Sequence, residues 1–322
     1  MIKIDPVKQV IVASEYRKLL KKFIEGKYYN PVNHRNTKLD DAVQKNPAMR
    51  TQLLFVKEGI VDNDFVALGK PKDIKKKFKE ICGSFPEGFV QKMDYYFSNF
   101  IGTKIGHIIP DHRYASLQVN TWLSKALGIN CCPYCNRDYT LSRKLRNGRE
   151  THPEFDHFYP KSKYPYLALS FYNLVPSCHS CNHLKLDNEM DINPHFMSFE
   201  NLNAHFVLSD RKGKRYNPAV DHWVFDSKQI RVRVVNSCKN VKVLGLDERY
   251  NLHSDYITDI ISKAQAYNAS YYEGLIESYK SLGKTQEEIY RFIWGGYQNP
   301  NDYGKRPLSK FTKDILKELG ID

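Results

Sequence analysis

The first stretch of chain alternates apolar and basic residues with a helical period. Val10, Tyr16, Leu19, Leu20, Phe23 and Ile24 fall at helical spacing, and Lys18, Lys21 and Lys22 fall on the other face. That spacing predicts a helix over 10–30. A polar stretch with Asn30-Pro31, Asn33 and Asn36 ends it. Further helices are predicted near 39–60, 72–82, 87–101 and 114–128, the last closing at Gly128 as a C-cap. From Cys131 to about Asn193 the periodicity is lost, and Cys, His, Pro and Asn become dense. Ala204–Ser209, His222–Asp226 and Gln229–Val235 then read as short strands. In the last of these, Ile230, Val232 and Val234 alternate with Arg231 and Arg233, the pattern of a half-buried strand. Helical spacing returns after Asp247, with Leu252, Tyr256, Ile257, Ile260 and Ile261. Tyr271, Leu275, Ile276 and Tyr279 continue it, and a terminal helix is predicted over Ser309–Leu319.

These textures divide the chain into a helical, basic region over 1–130 with no assigned role, a Cys-rich core over 131–200, and a region over 201–322 in which a β-hairpin precedes helices. The class is α+β. With 322 residues, 41% hydrophobic and 26% charged, the composition is that of a globular protein with a sizeable core. No apolar run approaches a membrane span. The start, Met1-Ile2-Lys3-Ile4-Asp5-Pro6, lacks the apolar core of a signal peptide, which points to the cytoplasm.

The formal net charge is +13. Most of the excess precedes residue 131, and the Cys-rich core is balanced. A surplus of this size suits a polyanionic partner, because each Lys or Arg at a phosphate releases counterions. The six lysines between Lys70 and Lys79 could form a phosphate-facing helix; a solvated helix face explains them as well.

Of the seven cysteines, four form two C-x-x-C pairs, Cys132-Pro133-Tyr134-Cys135 and Cys178-His179-Ser180-Cys181. Each pair turns tightly enough to put both sulfurs on one ion. Two such turns make the four-thiolate site that zinc prefers, one ion per chain. Cys131 is left outside it, and Cys82 and Cys238 read as ordinary core residues. The long gap between the pairs means that the intervening segment is clamped by them. That segment holds Glu154-Phe155-Asp156-His157-Phe158-Tyr159-Pro160-Lys161-Ser162, then Asn173-Leu174-Val175-Pro176, then Asn182-His183-Leu184-Lys185 after the second pair.

Phosphodiester hydrolysis needs a base for water and a cation for the leaving oxygen. A neutral His157 suits the first task. Asp156 and the amide oxygen of Asn182 are ligand types for a hard cation such as Mg2+ or Mn2+. Lys185, one helical turn beyond Asn182, could meet a phosphate. Glu154 and Asp138 read as solvated carboxylates, and His152, His179, His183 and His195 as neighbours rather than ligands. Trp122, Trp223 and Trp294 read as core. No Gly-rich phosphate loop is present.

Asp156-His157, Asn173-Leu174 and Cys-x-x-Cys-Asn-x-x-Lys resemble the motif of HNH (ββα-metal) endonucleases, many of which carry flanking zinc knuckles. The match covers roughly 131–195. It implies a β-hairpin packed on a helix around one catalytic metal, with helical regions on either side. It further implies His157 as general base, Asp156 and Asn182 as metal ligands, and Asn173 as the residue that pins the loop and orients His157. Asn182 stands where the motif's name expects His, which bears on metal preference. The implied activity is endonuclease hydrolysis of DNA, leaving 5′-phosphate and 3′-hydroxyl ends; RNA is not excluded. The string from Phe155 to Pro165, with Asn193-Pro194-His195, resembles the HNH proteins of Septu-type and retron-associated anti-phage systems. That implies an effector nuclease working beside an ATPase. The alternative is a non-catalytic zinc module that binds nucleic acid or a protein.

Overall fold

The first helical stripe forms α1, Pro6–Glu25. Tyr16, Leu19, Leu20, Phe23 and Ile24 are fully buried on it, as their spacing predicts, whereas Val10 is 64% exposed. These coordinates are a computed structural model, and they describe residues 1–25, 47–62, 71–217, 221, 228–267 and 269–321. The described residues are α+β, mostly helical, with small antiparallel sheets. Among the described residues no helix is long and apolar enough to cross a membrane.

By contacts the chain forms two compact units. One joins Asp5–Ile129 with Thr140–Glu189; the other joins Met1–Ile4, Asn130–Tyr139 and Met190–Asp322. The span 131–200 is thus divided between them.

In the first unit α1 is followed by α2 (Arg50–Phe55), α3 (Pro71–Cys82), α4 (Phe89–Gly102), α5 (Ile105–Ile108) and α6 (Val119–Leu127). Helix α6 ends where the sequence predicts, on Gly128 at φ 66°, a conformation that glycine adopts without steric cost. On α3, Ile74 and Phe78 face the core, while Lys75, Lys76, Lys77 and Lys79 are exposed. Lys70 and the predicted helical residues 26–30 and 39–46 lie outside the described residues. Two antiparallel pairs follow: β1 (Arg143–Lys144) with β2 (Glu150–Thr151), and β3 (Glu154–His157) with β4 (Leu174–Ser177). Helix α7, His179–Lys185, follows β4 directly.

Helices α1, α2 and α3, in the region left without a role from sequence, supply a wall against which the 158–173 loop packs. Tyr166 stacks on Phe78 at 4.3 Å between ring centroids and meets Phe55 edge-on at 5.8 Å. The Tyr16 hydroxyl donates to the Leu169 carbonyl at 3.0 Å, and its ring packs on Phe171. Buried aromatic pairs of this kind add to the area they remove from water.

In the second unit β5 (His205–Ser209) pairs antiparallel with β6 (Arg231–Val235). Val232 and Val234 are buried and Arg233 is exposed, as the alternation predicts. The predicted strand at His222–Asp226 lies outside the described residues apart from Asp221 beside it. Helices α8 (Lys239–Val243), α9 (Leu246–Tyr250), α10 (Ser254–Ala266), α11 (Ala269–Ser281), α12 (Gln286–Trp294) and α13 (Ser309–Glu318) complete it. Ile257, Ile260 and Ile261 are buried on α10, but Leu252 precedes the helix and is 75% exposed. Trp122 and Trp294 are core residues, each 3% exposed. Cys82 and Cys238 are half-buried near helix ends rather than in the core.

Candidate functional site

Both C-x-x-C segments are held by their own backbone. In the first, Asn136 N donates to Cys132 O at 2.7 Å, and Asn136 takes φ 51° to close the turn. Arg137 N donates to the Cys135 sulfur at 3.4 Å, which favours the thiolate. Asn136 itself is fully buried. Its amide donates to Tyr303 O and its side-chain oxygen accepts from Lys310 N. The Tyr250 hydroxyl donates to Cys135 O. In the second segment Cys178 caps α7, Asn182 N donates to Cys178 O at 3.1 Å, and Cys181 lies in the first turn.

The sulfurs of Cys132, Cys135, Cys178 and Cys181 all lie within 4.8 Å of one another. Zinc–sulfur bonds of about 2.3 Å in a tetrahedron put sulfurs about 3.8 Å apart. The donor set and spacing therefore fit one zinc ion. Among the described residues this is the only such grouping of His, Cys, Asp and Glu ligands. Cys131 stands outside it; burial pushes its thiol up to about 12, with Cys135 and Asp138 adding to the effect.

The clamped segment builds a second arrangement, wholly within the first unit. Strand β3 pairs Asp156 with Val175 and His157 with Leu174. Alternation puts Glu154 and Asp156 on one face of β3. That face meets Asn182 and Lys185 of α7, one helical turn apart. Glu154, Asp156, His157, His179, Asn182 and His183 line one open cavity of about 600 Å³.

His157 is buried, with its ring edge-on to Phe97 at 4.5 Å. Its Nε2 lies 3.0 Å from Ala168 O. A carbonyl only accepts, so Nε2 carries the proton and Nδ1 is the basic nitrogen. Burial, with the charges of Lys161 and Lys185, pushes His157 down to about 3, so the imidazole is neutral at pH 7. Lys161 is itself tied to Asp94 and lies over the Phe97 ring.

Asn173 is fully buried and makes three hydrogen bonds to the loop. Its oxygen accepts from Tyr159 N at 2.7 Å, and its amide donates to Tyr159 O at 3.2 Å and Leu167 O at 3.1 Å. It spans the two ends of the turn that carries His157 toward Ala168.

Lys185 departs from its sequence-based expectation. It is fully buried, and its ammonium donates to Asp156 Oδ1 at 3.2 Å and to His157 O at 2.7 Å. Helical spacing places it on the Asn182 face correctly, but that face is covered by β3, so no phosphate reaches it. Leu186, at φ 44°, ends the helix directly after it.

Glu154, read from the sequence as a solvated carboxylate, keeps its side chain 42% exposed yet joins the site. Its carboxylate accepts from Asn182 Nδ2 at 2.7 Å and faces His179 Nδ1 at 2.7 Å. Burial works to raise its pKa, but these two hydrogen bonds outweigh it and hold the carboxyl below its ordinary value. The signal was its two-residue spacing from Asp156 on a strand. With its amide nitrogen committed to Glu154, Asn182 keeps its oxygen as a ligand atom. The oxygens of Asp156 and Asn182 are the donor type that magnesium takes, usually with one or two carboxylates and retained waters. His183 is exposed beside His179, with rings stacked at 6.0 Å. His152 bonds Asn120 instead, and His195 is buried in the second unit.

Comparison with family models, curated proteins and solved structures gives no match.

Proposed function

We propose that this chain is a metal-dependent endonuclease of the HNH type, hydrolysing DNA phosphodiesters, with its four cysteines holding a structural zinc. The observation that carries the reading is the bond from His157 Nε2 to Ala168 O. It fixes the tautomer of a neutral imidazole beside a carboxylate and an amide that line the same cavity. A buried histidine that served only packing would not need Asn173 to hold both ends of the loop behind it.

In the proposed reaction His157 Nδ1 takes a proton from water. The water oxygen forms a bond to phosphorus as the bond to the 3′-oxygen breaks; that oxygen takes a proton from solvent water, and His157 returns its proton to solvent. A divalent cation such as Mg2+ or Mn2+, held by Asp156 and Asn182, would offset charge on the phosphate and the leaving oxygen. Lys185 holds Asp156 in place and balances its charge. Glu154 turns the Asn182 amide so that its oxygen is presented. The string around Phe155–Pro165 extends the proposal to anti-phage defence in the cytoplasm beside an ATPase partner.

The test is nicking of a supercoiled plasmid with magnesium or manganese. Wild type should cut and His157→Ala should not, while zinc content and melting temperature stay close to wild type. Equal cutting by both proteins removes His157 from its role. No cutting by wild type on DNA or RNA, with or without an ATPase partner, leaves the binding-module alternative.

A further inference from the structure

The second unit carries a group of side chains that the nuclease reading does not use. Helix α12 ends on Gly295, and the chain turns so that the ring of Tyr297 meets three cations. Arg291, Lys305 and Arg306 lie 5.2, 5.2 and 6.0 Å from its centroid. Cations crowded on one ring repel one another, and the ring quadrupole offsets only part of that cost.

Neutral groups hold the two guanidiniums. Arg291 donates to the Tyr297 hydroxyl at 3.4 Å, and Arg306 to the Gly295 carbonyl at 3.2 Å. Lys305 has a carboxylate, Asp302, at 2.7 Å. Among the described residues neither arginine has a carboxylate within ion-pair distance. Glu288, one turn before Arg291, is already engaged by Thr285 N and lies 3.7 Å from Lys284. Arg291 feels the Glu288 carboxylate at longer range, but neither guanidinium is closed off by an ion pair.

An open cavity of about 410 Å³ adjoins them, lined by Tyr279, Lys284, Arg291, Phe292 and Arg306, with the Glu288 carboxylate, tied to Thr285 and Lys284, at its edge. Phe292 is 68% exposed, although its ring packs on Tyr279 at 5.0 Å. Fixed guanidiniums suit phosphate oxygens, and an exposed ring suits the face of an unpaired base. A duplex keeps its bases stacked and offers such a ring nothing.

From this juxtaposition we infer that the Arg291–Phe292–Arg306 face binds a segment of single-stranded nucleic acid. Phosphates contact the two arginines and a base stacks on Phe292. The inference rests on the nuclease reading for its purpose, but binding is measured without any cutting.

The experiment uses the full chain with His157→Ala, so that no probe is cleaved. Fluorescence anisotropy is followed on labelled oligo-dT, oligo-rU and a duplex of about 20 nucleotides, each over a range of salt. Arg291→Gln with Arg306→Gln should weaken single-strand binding about ten-fold or more. It should also reduce the logarithmic salt slope by about 1.4, at about 0.7 per phosphate. Phe292→Ala, at an exposed position, should cost about ten-fold on single strands and little on duplex. Lys76→Gln with Lys79→Gln removes the same charge from α3 and should change little. Tighter binding of dT or of rU identifies the polymer. Wild-type affinity and slope in the arginine pair, or an equal loss in the lysine pair, overturns the inference. Plasmid nicking by wild type, together with unchanged single-strand affinity in the arginine pair, would leave the nuclease standing and remove this face. The reverse pattern would do the opposite.

Discussion

Replacing Lys185 by methionine removes an ammonium from a site where the lysine is fully buried and its partner Asp156 is 5% exposed. The methionine fills much of the volume, so the change is mainly electrostatic. Asp156 loses the donor at 3.2 Å and the His157 carbonyl loses the one at 2.7 Å. Removing one partner of a buried ion pair costs about 3–5 kcal/mol, because a charge is left in poorly solvating surroundings. At about 2–4 °C per kcal/mol for a domain of this size, melting should fall by about 6–20 °C. Changing Asp156 to Asn in the same chain removes the stranded charge and should recover much of the loss. A thermal-melt double-mutant cycle over Lys185→Met and Asp156→Asn therefore gives a large interaction energy of the sign expected for a pair. The reasoning is refuted if Lys185→Met melts like wild type while DNA affinity and its salt slope both drop. That outcome would turn the ammonium outward to a phosphate.

Three further outcomes are expected. Asn173→Ala removes three hydrogen bonds at about 0.5–1.5 kcal/mol each, so stability should drop by about 2–4 kcal/mol in urea unfolding, with nicking reduced as well; wild-type stability in the alanine variant would show that the loop does not need its pin. Cys178→Ser should lose close to one equivalent of zinc per chain and unfold, read by metal analysis and circular dichroism, whereas Cys82→Ser should keep both. His157 is pushed down to about 3 when folded and returns to about 6.5 when unfolded, so its contribution is complete above about pH 6.5 and is lost as pH falls toward 3; between about pH 7.5 and pH 5 the urea midpoint of wild type should fall more than that of His157→Gln, and equal falls would place the acid sensitivity elsewhere.

What could be read from the sequence was local. Two C-x-x-C turns are local, and the four sulfurs do lie together although 42 residues separate the turns. The stripes of α1, α10 and β6 are local too, because one buried face imposes its period on the residues that build it. What the sequence hid depends on which face is covered. Val10 reads as part of the α1 stripe, yet the buried face at that end runs through Gln9, Val12 and Ala13 and leaves Val10 exposed. Lys185 shares a face with Asn182, but only the presence of β3 over the face turns it inward. Glu154 is exposed, as the sequence suggests, but its partners His179 and Asn182 come from the far side of the clamped segment and no local pattern announces them. The packing of Phe55 and Phe78 on Tyr166 joins residues about a hundred positions apart, and no spacing rule reaches that far.

That aromatic wall governs how the chain can vary. A two-stranded ribbon of four-residue strands is marginal by itself. Its geometry is borrowed from rings on α1, α2 and α3. Transplanting residues 140–189 into another scaffold would carry the reactive letters without the surface that shapes them. A change of ring size at Phe78 would need a matching change at Tyr166, so drift in the opening helices and in the loop must proceed together.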